Sequence, residues 1–330
     1  MTKSNDQVNK KDAFEVEWEK AAADFEAAML AKGYTKLKKK EVPTQLLKFS
    51  KSNDQAKLQG IMEWWNERPT AGLFPATKAD RAKPIIYSFS LPSGYACPFA
   101  LDCLSKADRI TGKITDGKNT KFRCFSASDE ARSPQARAQR WHNFDLLRRI
   151  KTVAGMVELI EASLPKAWDV LRIHIGGDFF NQTYFDAWVQ VARNHLESGQ
   201  ILYAYTKSLP YWIANNNIPA NLNLTASEGG TRDHLIKQHG QKSSTVVFSP
   251  EEAEDLGLEI DHNEYHAIVG KDPFALLVHG TQPKGSDAGK ATQKMTARGI
   301  KYSYSRKNNT APVLLEGATR QEWIDNRASK

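Results

Sequence analysis

The chain has 330 residues, of which 40% are hydrophobic and 10% aromatic, and this composition excludes a disordered or low-complexity protein. No apolar run reaches the roughly 18 residues that a membrane-spanning helix needs, and the charged N-terminus is unlike a signal peptide. We therefore expect a folded, soluble protein of the cytoplasm. The net charge of +8 is typical of a protein with an anionic partner such as nucleic acid, but a solvated basic surface would also produce it.

Both ends of the chain differ in pattern from its middle. Apolar residues recur at helical spacing from Phe14 to Met29, and residues 57–66 form a second helical pattern. Near the other end, Tyr302 and Tyr304 alternate with lysines and arginines, as in a nucleic-acid contact or a charged edge strand. We predict a helical N-terminal extension over residues 1–80, an α/β domain over 81–285 and a basic segment over 286–330.

The middle of the chain alternates short β-rich apolar runs with helical patterns, which predicts βα units and a parallel sheet. The predicted strands are Ile85–Leu91, Trp168–Ile175, Ile201–Thr206, Leu222–Ser227, Ser244–Ser249, Tyr265–Val269 and Phe274–His279. Two strong helical patterns cover residues 143–164 and 182–198. Asn181 is placed to cap the second, whose core stripe consists of Phe185, Trp188, Val189, Ala192 and Leu196.

Strands about 20 to 30 residues apart suit a partial or full (β/α) barrel or an open doubly wound sheet. In each of these folds, the functional site lies at the carboxyl ends of the strands. Small, polar and charged residues follow several of the predicted strands. We therefore expect the site to combine the segments that follow the first, second and third predicted strands.

The three cysteines of the chain, Cys97, Cys103 and Cys124, all follow the first predicted strand. Their spacing, C-x5-C-x20-C, differs from the C-x2-C pairs of zinc ribbons, and a zinc site would need a fourth ligand such as Asp102 or His142. A disulfide would leave one thiol over and would need an oxidising compartment, and three buried cysteines used as small apolar residues are the remaining alternative. Because the flanking sequence is polar and loop-like, we favour a [4Fe-4S] cluster with one iron open to a small molecule.

A Gly-Gly-Asp turn at Gly176, Gly177 and Asp178 follows the second predicted strand. Paired glycines let the backbone approach a ligand closely, and a carboxylate suits an ammonium group. Lys207 directly follows the third predicted strand, where it would bind a carboxylate or phosphate. His174 lies within a predicted strand and is interpreted as a core residue.

Polar residues beside Cys124 either line a pocket or satisfy the backbone of the cysteine segment itself. They are Arg123, Ser126, Ser128, Asp129, Glu130 and Arg132.

A cysteine segment after the first strand and a Gly-Gly-acid turn after the second together resemble the radical S-adenosylmethionine (SAM) enzymes. The resemblance implies a partial (β/α) barrel, a cluster on the three cysteines, and a turn at residues 176–178 that receives the amino group of SAM. It also implies reductive cleavage of SAM to a radical. Two features differ from that family: the cysteines spread over 28 residues where C-x3-C-x2-C is usual, and Asp178 stands where glutamate is usual.

Several separate blocks between Leu47 and His279 resemble the gene product 88 family of bacteriophages and prophages. They include FSLPSGYACPFALDCLSKADRITGKITDG, FRCFSASDEA, RWHNFDLL and RIHIGGDFFNQTYFDAW. This resemblance implies a phage protein that works in the host cytoplasm.

Two further functions remain open from the sequence. The first is a non-catalytic nucleic-acid-binding phage protein with a structural metal site. The second is a zinc-dependent hydrolase or nuclease that uses His262, Glu264 and His266, because alternation along a strand would place both histidines on one face.

Overall fold

The computed structural model describes residues 46–52, 84–215 and 217–300, which form ten strands and nine helices. These residues all belong to the unit Leu46–Lys330. The helices predicted between residues 14 and 66, and residues 301–330 of the basic segment, lie outside the described residues. None of the helices described is long and apolar enough to cross a membrane.

The strands are β1 (Ser50–Lys51), β2 (Ile86–Ser88), β3 (Ser105–Ala107), β4 (Ile114–Asp116), β5 (Val170–Arg172), β6 (Ile201–Thr206), β7 (Leu222–Ser227), β8 (Ser243–Val247), β9 (Glu259–Ile260) and β10 (Phe274–Leu277). The helices are α1 (Phe125–Arg132), α2 (Pro134–Leu147), α3 (Val153–Ser163), α4 (Gln182–Asn194), α5 (Leu209–Ala214), α6 (His234–His239), α7 (Pro250–Asp255), α8 (Tyr265–Ile268) and α9 (Asp287–Ala297).

Eight strands form one sheet in the order β1-β2-β5-β6-β7-β8-β10-β9, and β3 and β4 form a separate antiparallel hairpin. Every pair in the large sheet is parallel except β1 with β2. From β2 to β10 the strand order never reverses, which excludes the doubly wound alternative because that fold needs a reversal of strand order. Among the described residues the sheet also does not close into a full barrel, because β1 and β9 are its two edges.

Both faces of the sheet are buried, which explains why its strands are continuous apolar runs. On one face, Leu171 and Leu202 pack in a core with residues of α3 and α4. On the other, Val170, Tyr203 and Phe274 pack in a core with residues of the short helix α8.

Three local predictions need correction. The run Tyr265–Val269 is not a strand but helix α8, because a short apolar run fits a buried strand and a buried helix equally well. The single helix predicted over residues 143–164 is two helices, and the Thr152 hydroxyl caps α3 by accepting from the N–H of Gly155 at 3.2 Å. Leu196 is 37% exposed because α4 ends two residues earlier.

The other predictions for helix α4 and the prediction for His174 are confirmed. The side chain of Asn181 caps α4 by accepting from the N–H of Tyr184 at 2.8 Å. The remaining residues of the predicted stripe, Phe185, Trp188, Val189 and Ala192, are buried. His174 is a buried core residue, as predicted, and its Nε2 lies 3.0 Å from the hydroxyl of Tyr184.

Candidate functional site

The three cysteines belong to an insertion that follows β2 at the carboxyl edge of the parallel sheet. Cys97 lies in the turn region before the β3–β4 hairpin, Cys103 lies two residues before β3, and Cys124 is the N-cap residue of α1. The hairpin occupies much of the gap between Cys103 and Cys124. The strands of the hairpin are antiparallel, and Gly117 N–H donates to the carbonyl of Leu104 at 2.7 Å. The chain after β4 therefore lies beside the residues that precede β3.

The three thiols are half-buried and form no disulfide. The charges of Cys103 and Cys124 affect the pKa of Cys97, and the charge of Cys103 affects the pKa of Cys124. Burial raises the pKa of Cys97 well above its usual range, and the charges of Asp178, Cys124 and Cys103 raise it further. Burial and the neighbouring Cys103 raise the pKa of Cys124 to about 11. Residues that are distant in sequence therefore form one group of three thiols beside a carboxylate.

Backbone N–H groups point toward two of the thiols. Gly94 N–H donates to Sγ of Cys97 at 3.3 Å. At the N-terminus of α1, the N–H groups of Ser126 and Ala127 act to lower the pKa of Cys124, against the larger effect of burial. A helix N-terminus stabilises a thiolate, so these N–H groups oppose the effect of burial on Cys124 but do not outweigh it.

Glu130 joins the turn that precedes Cys97 to the helix that follows Cys124. It is fully buried, and its Oε1 accepts hydrogen bonds from the N–H of Ser93 at 2.9 Å and from the Ser93 hydroxyl at 2.8 Å. Arg140 from α2 donates to the same oxygen at 2.9 Å and to the carbonyl of Ser126 at 2.9 Å. The expectation that polar residues beside Cys124 satisfy the backbone of the cysteine segment is therefore confirmed for Glu130.

The Gly-Gly-Asp turn packs directly against this segment. A Cβ atom on Gly176 would overlap with the hydroxyl of Ser126, and one on Gly177 would lie 2.5 Å from Cβ of Leu91. Gly177 also has a φ of +83°, in the left-handed region. The paired glycines therefore serve close packing between the end of β5 and the cysteine segment.

Asp178 lies beside the thiols, but its carboxylate bonds to the protein. Oδ1 accepts from the hydroxyl of Thr206 at 2.6 Å and from the N–H of Phe179 at 2.7 Å, and Oδ2 accepts from the N–H of Lys207 at 2.8 Å. Its own N–H donates to the carbonyl of Ala96 at 3.1 Å. Burial raises the pKa of Asp178 to about 6, and these hydrogen bonds act in the opposite direction.

Lys207 is buried, and its ammonium group supports the turn that follows β7. Nζ donates to the carbonyl and the hydroxyl of Ser227, each at 2.9 Å, and to the carbonyl of Glu228. A carboxylate or phosphate ligand would have to compete with these acceptors.

The residues that follow β7 also hold the segment between Cys97 and Cys103 through hydrogen bonds. The carbonyl of Gly229 accepts from the N–H groups of Leu101 at 3.2 Å and Asp102 at 2.9 Å, and Thr231 N–H donates to the carbonyl of Phe99 at 2.9 Å. The first two cysteines are thus held by backbone bonds to a distant strand end.

Other predicted metal ligands have separate partners. Asp102 forms an ion pair with Lys121 at 2.8 Å, and Nε2 of His142 lies 2.9 Å from the carbonyl of Leu46. Within the part of the chain that the structure describes, no group of three or more His, Cys, Asp and Glu side chains is arranged to hold a metal ion.

The H-x-E-x-H hypothesis fails because its residues do not lie on a strand. Residues 262–264 form a bend that leads into α8, so the predicted alternation of side chains is absent. Glu264 bonds to Arg172 and to the hydroxyl of Tyr203, and Nε2 of His266 lies 3.1 Å from the carboxylate of Glu259.

Comparison with known proteins identifies the family. A family model described as Gene product 88 matches residues 29–299 of the chain. The chain belongs to the gene product 88 family. It is also 29% identical over 153 residues to the Gene 88 protein of Mycobacterium phage D29, a match that covers 43% of this chain and 56% of that protein. The chain thus spans about half the length of this relative, and no solved structure matches it.

These findings confirm the predicted phage family. In this member of the gene product 88 family, sequence reasoning missed Ser93 and Arg140 as parts of the site. Their partner Glu130 lies 37 and 10 residues away, respectively, and no motif marks either residue. The sequence offered only the nearness of Glu130 to Cys124 along the chain, and the burial of Glu130 is visible only in the fold.

Proposed function

We propose that this gene product 88 family member binds a [4Fe-4S] cluster through Cys97, Cys103 and Cys124. The observation that carries the proposal is the meeting of three thiols from separate segments, each close enough to affect another's ionisation. Such a cluster needs a reducing compartment, which for a phage protein would be the host cytoplasm.

The donor set suits an iron–sulfur cluster. Thiolates are soft ligands that suit iron–sulfur clusters and zinc, and the C-x5-C-x20-C spacing lacks the C-x2-C pairs of zinc ribbons. Binding of the cluster would have to displace the protons of Cys97 and Cys124, because burial raises the pKa of both thiols.

Three protein ligands would leave one iron of the cluster free to bind a small molecule. SAM is the molecule that the resemblance to radical SAM enzymes implies. Asp178 does not fit the role of binding its ammonium group, because the carboxylate already accepts three hydrogen bonds from the protein. We therefore assign Asp178 to fixing the cysteine segment, and we treat SAM binding as a separate step of the proposal.

The strand order supports a partial (β/α) barrel as the scaffold. Six parallel strands follow one another in chain order, and right-handed crossovers would place their helices on one face of the sheet. The other face is buried by the core that includes residues of α8.

Anaerobic purification followed by iron, sulfide and zinc analysis tests the proposal. We expect about four iron and four sulfide per chain and a broad visible absorption band, and replacement of any of the three cysteines by serine should abolish both. A colourless protein that carries one zinc would overturn the cluster. If a cluster is present but its electron paramagnetic resonance spectrum does not change with SAM, the SAM step fails and the cluster assignment stands.

A further inference from the structure

We infer that the surface beside the cysteine segment binds single-stranded nucleic acid. The surface consists of three aromatic rings and three cations in contact with one another, which we call the aromatic–cationic strip. Its members are Tyr95, Trp141, Phe144, Lys106, Arg109 and Arg148. This binding would be an additional property of the chain, independent of what the cysteines hold.

The rings of the strip form a continuous series with an exposed end. The ring centroids of Tyr95 and Trp141 lie 4.8 Å apart, and those of Trp141 and Phe144 lie 6.0 Å apart. Trp141 is buried, whereas Tyr95 is 39% exposed and is among the few large hydrophobic residues at the surface. Tyr95 thus brings a partly exposed aromatic ring to this surface, and sites for single strands use such rings to stack bases.

A cation lies over each ring. Nζ of Lys106 lies 5.1 Å from the centroid of Tyr95, and the guanidinium carbons of Arg109 and Arg148 lie 4.8 Å and 5.4 Å from the rings of Trp141 and Phe144. These contacts hold the positive charges at the same surface as the rings. Cations beside a stacking ring are the combination that binds the phosphates and bases of a single strand.

The acidic residues at the strip offset part of its positive charge. Burial raises the pKa of Tyr95, and the charges of Asp108 and Glu130 raise it further. Asp145 accepts from Arg109 at 2.7 Å and forms an ion pair with Arg148 at 2.9 Å, but its side chain is buried beneath them. Asp108 is exposed, and its carboxylate accepts from the N–H groups of Ile110 and Thr111 in its own turn.

The surrounding insertion concentrates the positive charge of the whole chain. Residues 102–151 contain twelve lysines and arginines against six acidic residues, so this segment accounts for most of the net charge of +8. The exposed cations near the strip include Lys113 and Lys151. An exposed ring within a basic segment favours a single strand over a duplex, because a duplex does not offer its bases for stacking.

Binding of the full chain to a labelled single-stranded oligonucleotide of about twelve nucleotides tests the inference. Tyr95→Ala should weaken binding about tenfold or more, whereas Tyr95→Phe should leave it nearly unchanged because the ring is kept. Lys106→Gln should lower the slope of log affinity against log salt by about one. Lys294→Gln is the matched control, because it removes one exposed lysine from α9 and should not change that slope.

Four outcomes would overturn the inference: absence of binding at low salt, tighter binding to a duplex of the same length, equal affinity of Tyr95→Ala and the unchanged chain, or equal effects of Lys106→Gln and Lys294→Gln. Circular dichroism and metal content, measured on each variant, show whether the fold and the cysteine site are intact. Since metal content is measured separately, failure of the cluster assignment and failure of nucleic-acid binding are distinguishable.

Discussion

The buried carboxylate of Glu130 connects the two segments that carry Cys97 and Cys124. Burial raises the pKa of its carboxyl, while Arg140 and the hydrogen bonds from Ser93 oppose that shift. A buried carboxylate that loses its partners, or a buried arginine that loses its carboxylate, is strongly destabilising. This network therefore ties the stability of the insertion to the relative position of its cysteines.

Replacement of Glu130 by alanine should lower the free energy of unfolding by about 1–3 kcal/mol, because the buried N–H and hydroxyl of Ser93 lose their acceptor and Arg140 keeps only Asp129 as an ionic partner. It should also reduce the iron bound after anaerobic reconstitution, because the turn before Cys97 loses its anchor. Asp129→Ala is the matched control, since Asp129 pairs with the same arginine at 2.7 Å but its side chain is 42% exposed. If both variants retain equal iron, Glu130 does not position the thiols.

Asp261 should make stability depend on pH. Burial raises its pKa to about 6, and its Oδ2 has no hydrogen-bond partner among the described residues. Because the folded-state pKa lies above the unfolded value, protonation favours the folded state, and this stabilisation is lost as the pH rises from about 4 to about 6.

Asp261→Asn removes this charge. At pH 7, the free energy of unfolding of the variant should therefore exceed that of the unchanged chain by about 1–3 kcal/mol. The difference should disappear near pH 4. Urea unfolding at several pH values measures it, and parallel curves for the two proteins would contradict the assignment.

At the scale of elements, the Gly176–Gly177 turn sets how closely β5 approaches the cysteine segment. Gly177→Ala should lower the free energy of unfolding by about 1 kcal/mol for the left-handed φ, and by a further 1–3 kcal/mol for the overlap with Leu91. Gly257→Ala is the matched control, because Gly257 has a φ of +64° and nothing within 4 Å of an added Cβ.

Thermal or urea unfolding of the two glycine variants separates the cost of the left-handed φ from the cost of steric overlap with Leu91. Equal destabilisation would show that the turn does not pack tightly against Leu91. A larger loss in Gly177→Ala, together with reduced metal content, would show that the turn supports the cysteine site.

At the scale of the whole molecule, binding of a cluster should stabilise the chain, because one ligand would join three segments of the insertion. A ligand at a thousandfold excess over its dissociation constant stabilises by about 4 kcal/mol. We expect the unfolding temperature of the anaerobically reconstituted protein to exceed that of the metal-free protein by several degrees.

Calorimetry on both forms measures this difference, with Cys103→Ser treated in the same way as the control. An unchanged unfolding temperature despite bound iron would mean that the iron is not held at the cysteines.

Elements with local signals were predictable from the sequence. The strands β6 and β7 have the predicted bounds, and Asn181 caps α4 as predicted, because apolar runs and capping residues act within a few positions of the chain. The cysteines and the Gly-Gly-Asp turn were also visible, because they are rare residue types that follow predicted strands.

How these parts meet depends on contacts that form only in the folded chain. The sequence could not show that a hairpin returns Cys124 toward Cys103, that Glu130 anchors the turn before Cys97, or that the carboxylate of Asp178 faces the protein. Each of these depends on contacts between residues far apart in the chain. Such contacts leave no periodic pattern, because burial and distance are set by the packing of the whole sheet.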